Sequence, residues 1–390
     1  MIRAGSVRNS EQGFVDAPQT GVAMRRAQDA LREALTLGAA GVSLGIMYLP
    51  EYYADRAELA EMLRPLGEMG GLAVMHIRGE GDSLVASVQE ALDITAMAGC
   101  ALHISHFKSC GVDNWRREIH KAIALIEQAR AQGRDVTCDF YPYTGGSTGL
   151  NTMLPPSFVA GDMEKTLARL GTPQGVQELR NALEKRYDDW DNYAISLGWE
   201  RILISSVKHP HNKKYLGRNV EQAAKAEGCP DAVALAAHLL HDEQGATAII
   251  NMSMCQDDVD TIARLPYAMV ISDAIYADTP TPHPRLFGAM PRVLRDMVAE
   301  RNVLDLPTAI HKMTALPAWR MGLQDRGTLA PGYMADVLVF DPDQFRDNAT
   351  FEDPAQLATG LAWSFINGIP VVRDDHVLTG SAGRRLLRGA

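Results

Sequence analysis

The chain's 390 residues, 46% hydrophobic and 22% charged, have the composition of a globular protein: two or three domains, or one large α/β barrel with an appendage. No stretch reaches the ~18–20 unbroken apolar residues of a membrane span, and the opening MIRAGSVRNSEQG lacks the apolar run of a secretory signal. Thirty-eight basic against 48 acidic side chains, with no Lys/Arg block, exclude nucleic-acid binding as the main task and leave small anions as partners only through locally placed cations.

The first half of the sequence alternates helical and apolar β-branched runs. Met24 to Leu37 is predicted helical, then GVSLG (Gly41–Gly45) a buried strand. Three more such units follow: helix Glu58–Met69 with strand LAVMHIR, helix Leu84–Ala98 with strand ALHISHF, and helix Trp115–Ala131 with strand VTCDFYP. Gly71, Gly99 and Gly133 stand just past the helices, where a left-handed cap is wanted. Near-continuous apolar strands separated by helices predict a parallel sheet covered on both faces, and even spacing favours part of a TIM-like (β/α) barrel.

From about residue 150 to 230 the rhythm loosens around one strand, RILISSV, which predicts an insertion carried on a barrel loop. Regularity returns with helix Asp231–His241, strand ATAIINM, helix Asp257–Leu265 and strand AMVISD, then helices Pro284–Glu300 and Leu306–Gly322. The expected division is a barrel over 1–326 and a small β-rich appendage over 327–390, whose strands lie in LAPGYMADVLVFD, SFINGIPVVRDD and HVLTG.

Function in parallel barrels gathers where strands end. His76 and His106 close consecutive strands and Asp273 closes the last one. Two imidazoles and a carboxylate at one rim suit a divalent metal, zinc above all, although each residue alone also fits a hydrogen-bonded structural role. Three other motifs read as structural. Ser43 in GVSLG matches G-x-S-x-G, but Leu44 to Pro50 do not start the helix a nucleophile elbow needs. His209-Pro-His211 has metal-like spacing in a loop-like setting, and GGSTG lacks the Lys and helix of a phosphate loop. The five cysteines (Cys100, Cys110, Cys138, Cys229 and Cys255) are odd in number, scattered and never spaced CxxC. They predict buried thiols in a cytoplasmic protein rather than disulfides or a cysteine-only zinc site.

MHIRGEGD, ISHFKSCGVDNW, DVTCDFYPYTGGSTGL, ISDAIYADTPTPHPRLFGAMPRVL and MTALPAWRMGLQDRGTLAPGYMADVLVFDPD resemble, in order, the D-aminoacylases, N-acyl-D-amino-acid deacylases of the metal-dependent amidohydrolase superfamily. The resemblance implies that His76 and His106 bind zinc and that Asp273 is the catalytic aspartate, here followed by Ala274 in place of the usual glycine. It places Lys108, Tyr141 and Arg285 in the substrate-carboxylate clamp, and Tyr48 and Met254 against the amino-acid side chain. It implies zinc-dependent hydrolysis of a small N-acyl-D-amino acid. The β-rich segment, the H-x-H strand and the metal-binding cysteine with which the family begins have no counterpart here. The expectation is therefore an incomplete barrel with weak zinc binding and impaired hydrolysis. A non-catalytic remnant or fragment needing an upstream piece, and a dihydropyrimidinase-like cyclic-amide hydrolase, stand as alternatives.

Overall fold

A computed structural model describes residues 1–159, 162–276 and 278–389. Six strands form one parallel sheet: β1 (Ile2–Arg3), β2 (Gly41–Gly45), β3 (Leu72–His76), β4 (Ala101–Ile104), β5 (Val136–Phe140) and β9 (Ala268–Val270), adjacent in that order. The register sets Gly45 beside His76 and Met75 beside Ile104, so consecutive strands end at one rim. Among the described residues the sheet is open between β1 and β9. This is the incomplete barrel expected from the sequence, with an additional short first strand and a helix, α1 (Ala4–Gln12), preceding the predicted units.

The connecting helices are α2 (Gly21–Thr36), α3 (Arg56–Glu68), α4 (Leu84–Ala98) and α5 (Glu118–Ala131). In α3 the Asp55 side chain accepts the Glu58 N–H at 2.8 Å as N-cap, and Leu59, Met62, Leu63 and Leu66 form one buried stripe at helical spacing. Gly99 and Gly133 adopt the left-handed conformation after α4 and α5 (φ +69° and +83°), whereas after α3 it is Gly70 (φ +65°) and not Gly71. All five residues of β5 are buried, as for a strand covered on both faces, and this places Asp139 in the interior.

ATAIINM behaves differently from the regular barrel strand read from the sequence. Its core, β8 (Ala248–Asn251), pairs antiparallel with β6 (Gly146–Gly149) and β7 (Ile202–Ser206) in a separate three-stranded sheet, and β9 lies directly beside β5. A short apolar run has no polarity of its own, so its partners decide its direction. The helix expected over Pro284–Glu300 is α-helical over Arg285–Arg292 and π-helical over Val293–Glu300. The C-terminal strands β10 (Val337–Phe340), β11 (Leu361–Ile366), β12 (Ile369–Arg373) and β13 (His376–Val377) make an antiparallel sheet. No described helix is long and apolar enough to cross a membrane.

Candidate metal centre and carboxylate site

His76 ends β3 and His106 lies two residues beyond β4. The rim brings them together: His76 Nδ1 is 2.7 Å from His106 Nε2, and the rings meet edge to face with centroids 4.4 Å apart. Against the other nitrogen of His106 reaches Glu80, from the turn after β3. Its carboxylate is 3.0 Å from His106 Nδ1 and 2.7 Å from Lys108 Nζ. One ligand atom from each of His76, Glu80 and His106 lies within 4.8 Å of the others, and no further His/Cys/Asp/Glu group of three does so among the described residues.

Electrostatics suits this trio to a cation. Desolvation, aided by His106 and Lys108, lowers the His76 pKa to about 3, so its imidazole is neutral and free to ligate at neutral pH. Burial alone would raise the Glu80 carboxyl, but Lys108, His76 and His106 hold it well below the usual carboxylate range. The His76 and His106 imidazoles together with the ionised Glu80 carboxylate are a donor set of the kind zinc takes, at bond lengths of ~2.0–2.2 Å. The same carboxylate keeps Lys108 protonated, its pKa raised despite the burial that opposes the charge.

His106 is itself held in an unusual backbone conformation, φ +37°. Its N–H donates to Asp139 on β5, whose other oxygen is 2.7 Å from His103 Nε2, and His103 Nδ1 meets Thr137 Oγ1 at 2.7 Å. A buried polar chain inside the sheet thus fixes the left-handed turn that presents His106.

Asp273 (φ +48°) follows β9 and lies outside the trio. Its Oδ2 is 2.9 Å from Arg285 Nη1. Arg285 is 1% exposed, yet none of its three side-chain nitrogens has a hydrogen-bond partner among the described residues. Its guanidinium carbon stands 4.7 Å from the centre of the Tyr141 ring, and Lys108 Nζ stands 5.6 Å from that centre. Burial pushes the Tyr141 phenol up to about 12 against the pull of both cations, leaving it a proton donor at neutral pH. Next to Arg285, burial and the guanidinium lower the His283 pKa to about 3, and its ring bridges Gly145 O and the Arg285 N–H at 2.9 and 3.0 Å.

Arg285 opens on a cavity of about 270 Å³, which Tyr48 also lines. The Tyr48 ring sits 4.8 Å from that of His76, joining cavity and trio, and its hydroxyl is 3.4 Å from Thr148 Oγ1. Met254 is buried and does not line that cavity; it shares a void of about 10 Å³ with His106, Lys108 and Tyr141. Glu80 escaped the sequence reading because it closes no strand; its spacing of four from His76 in one turn was the available signal. Ser43, the serine of G-x-S-x-G, hydrogen-bonds Ile2 O at 3.3 Å within the sheet, and His211 contacts Asp242 at 2.7 Å.

A model of the Amidohydrolase family matches residues 180–372. An N-acyl-D-glutamate deacylase of Alcaligenes xylosoxydans xylosoxydans is 36% identical over 341 residues, 87% of this chain and 59% of the relative. A crystal structure of D-aminoacylase superposes with a TM-score of 0.78 at 30% identity, covering 98% of this chain and 70% of that one. An N-acyl-D-glutamate deacylase of Bordetella bronchiseptica, solved with zinc and a phosphonate mimic of the tetrahedral intermediate, gives a TM-score of 0.78 at 32% identity with the same coverage. The chain belongs to the N-acyl-D-amino-acid deacylase family of amidohydrolases. As a member of that family it spans less than two thirds of the length of the deacylase from Alcaligenes.

Proposed function

We propose that the chain carries the catalytic site of a zinc-dependent N-acyl-D-amino-acid deacylase, which cleaves the amide bond to release a carboxylate and a D-amino acid. The observation that carries this reading is Arg285, a buried cation paired with Asp273 but making no side-chain hydrogen bond among the described residues, facing a cavity that adjoins two imidazoles and a carboxylate. A guanidinium in that state favours a carboxylate ligand, which it can grip through two parallel N–H bonds.

His76, His106 and Glu80 would hold the zinc, while Asp273, expected from the sequence as a ligand, lies outside that trio and pairs with Arg285. A zinc ion held there would supply polarisation of the amide carbonyl and a more acidic water. Arg285 and the Tyr141 hydroxyl grip the substrate's α-carboxylate, with Lys108 adding positive charge beside them. Asp273 takes the proton of the attacking water and returns it to the amide nitrogen as that nitrogen departs. Tyr48 closes the cavity against the trio. Because the described donors come from two adjacent strands and one turn, zinc affinity and turnover of this chain alone should fall below those of a closed four-coordinate centre.

The cavity wall supports a finer reading. Beside Arg285 it presents Ser147, Thr148, Ser205, Ser206, Thr279 and Ile275, all uncharged. With Arg285 on the α-carboxylate no second cation remains among the described residues of the wall for an acidic side chain, so uncharged side chains are preferred. Hydrolysis assays with zinc on N-acetyl-D-methionine, its L-enantiomer, N-acetyl-D-glutamate and hydantoin test this. The expected order places N-acetyl-D-methionine first. Hydrolysis of hydantoin alone, or of no acylated amino acid, would overturn the assignment.

A further inference from the structure

The turn that carries Glu80 is held by a residue far away in the chain. Asp191, 6% exposed, lies between the helices Pro173–Ala182 and Tyr193–Ser196. Its Oδ2 accepts the N–H groups of Glu80 and Gly81 at 2.6 and 2.7 Å, and its Oδ1 accepts the N–H and the hydroxyl of Ser83 at 3.1 and 3.0 Å. A buried carboxylate needs such donors, and here one turn supplies four of them. The fit is close. A Cβ at Gly79 would collide with Ser83 Oγ and come within 2.9 Å of Asp191 Oδ2, so the turn wraps the carboxylate only with glycine there. Next to Asp191, Asn192 closes its own loop by donating to Leu183 O and Lys185 O at 3.0 and 2.8 Å.

Glu80 is therefore pinned from two sides. Its N–H goes to Asp191 and its carbonyl accepts the Cys110 N–H at 2.6 Å, while its side chain meets Lys108 and His106. We propose that Asp191 is a positioning residue: it sets the 79–83 turn so that the Glu80 carboxylate is aimed at His106 and Lys108, making the inserted segment a working part of the site. The relevance to zinc rests on the deacylase reading; the clamp itself does not.

The test compares the full chain with Asp191→Asn, Glu80→Gln and the double variant, by amide hydrogen exchange and by zinc competition against a chelator. Asp191→Asn should speed exchange across residues 79–83 at least about tenfold while the β3 and β4 amides keep their protection, and weaken zinc binding by roughly ten- to a hundredfold. In the Glu80→Gln background it should weaken zinc no further, since its effect passes through Glu80. A residue that merely stabilises the fold would weaken zinc by the same factor in both backgrounds, and that result, or unchanged exchange across 79–83, overturns the proposal. If Asp191→Asn fails to fold, Ser83→Ala removes one of the four bonds and should raise exchange in that turn alone; no rise there overturns the clamp. Absence of zinc binding by the unaltered chain would refute the deacylase reading, with the exchange data still deciding the clamp.

Discussion

On the β3–β4 side of the rim the charged groups are matched within the protein. Glu80 meets Lys108 and His106, Asp191 holds the turn beneath Glu80, and Asp139 holds the His106 backbone. On the β9 side Arg285 stands near Asp273 but makes no hydrogen bond among the described residues, and the segment beyond exposes Ile275 and Tyr276. The difference separates two tasks. A metal position must exist before substrate arrives, so its ligands are fixed by buried networks. A carboxylate clamp is completed by the substrate, so its cation is left with donors to spare.

The comparison is sharpest at Asp273. Replacing it with Asn should lower kcat for N-acetyl-D-methionine by about 10²–10⁴, the usual worth of a general acid–base. Zinc content should stay the same. Loss of zinc along with activity would move Asp273 into the ligand set and blur the two halves. Arg285→Lys comes next: it keeps the charge but loses the fork and, with hydrogen bonds to charged groups worth ~1.5–3 kcal/mol, should raise KM roughly ten- to a hundredfold with a smaller change in kcat.

A smaller effect is expected from pH. His283, buried beside Arg285, has its pKa lowered to about 3 in the folded chain. Folding therefore favours its neutral form. Its contribution is fully present above the unfolded value of about 6.5 and is lost as pH falls from there toward 3. Thermal melts of the zinc-free chain should lose stability over that window, and His283→Gln should make the loss shallower; parallel profiles would remove His283 from the account. The smallest effect is at Ser43. Ser43→Ala should leave hydrolysis unchanged and cost about 1 kcal/mol or less, the worth of its bond to Ile2 O. A large loss of turnover would revive the nucleophile reading.

What could be read in the sequence follows how local each signal is. His76 and His106 stand at the ends of strands marked by apolar runs, and the rule that barrel strands end at the working rim picks them out. Glu80 depends on a turn whose shape is set from Asp191, a separation of 111 residues that no local pattern reveals. The parallel direction of β2 to β5 followed from the helices between them, but β8, with a similar apolar run and a preceding helix, turned out antiparallel because β6 and β7 were its partners. β1 was invisible because two residues carry no periodicity. Met254, placed against the substrate by resemblance, shares a small void with His106, Lys108 and Tyr141, a neighbourhood no local pattern in the sequence reveals.

The most direct measurement of the central claim is zinc stoichiometry by elemental analysis after dialysis of the full chain against buffered zinc, with His106→Ala alongside. The account predicts one zinc held by the unaltered chain through His76, His106 and Glu80, and loss of that zinc in the variant with its folded circular dichroism retained. Equal zinc in the two proteins, or none in either, would contradict it.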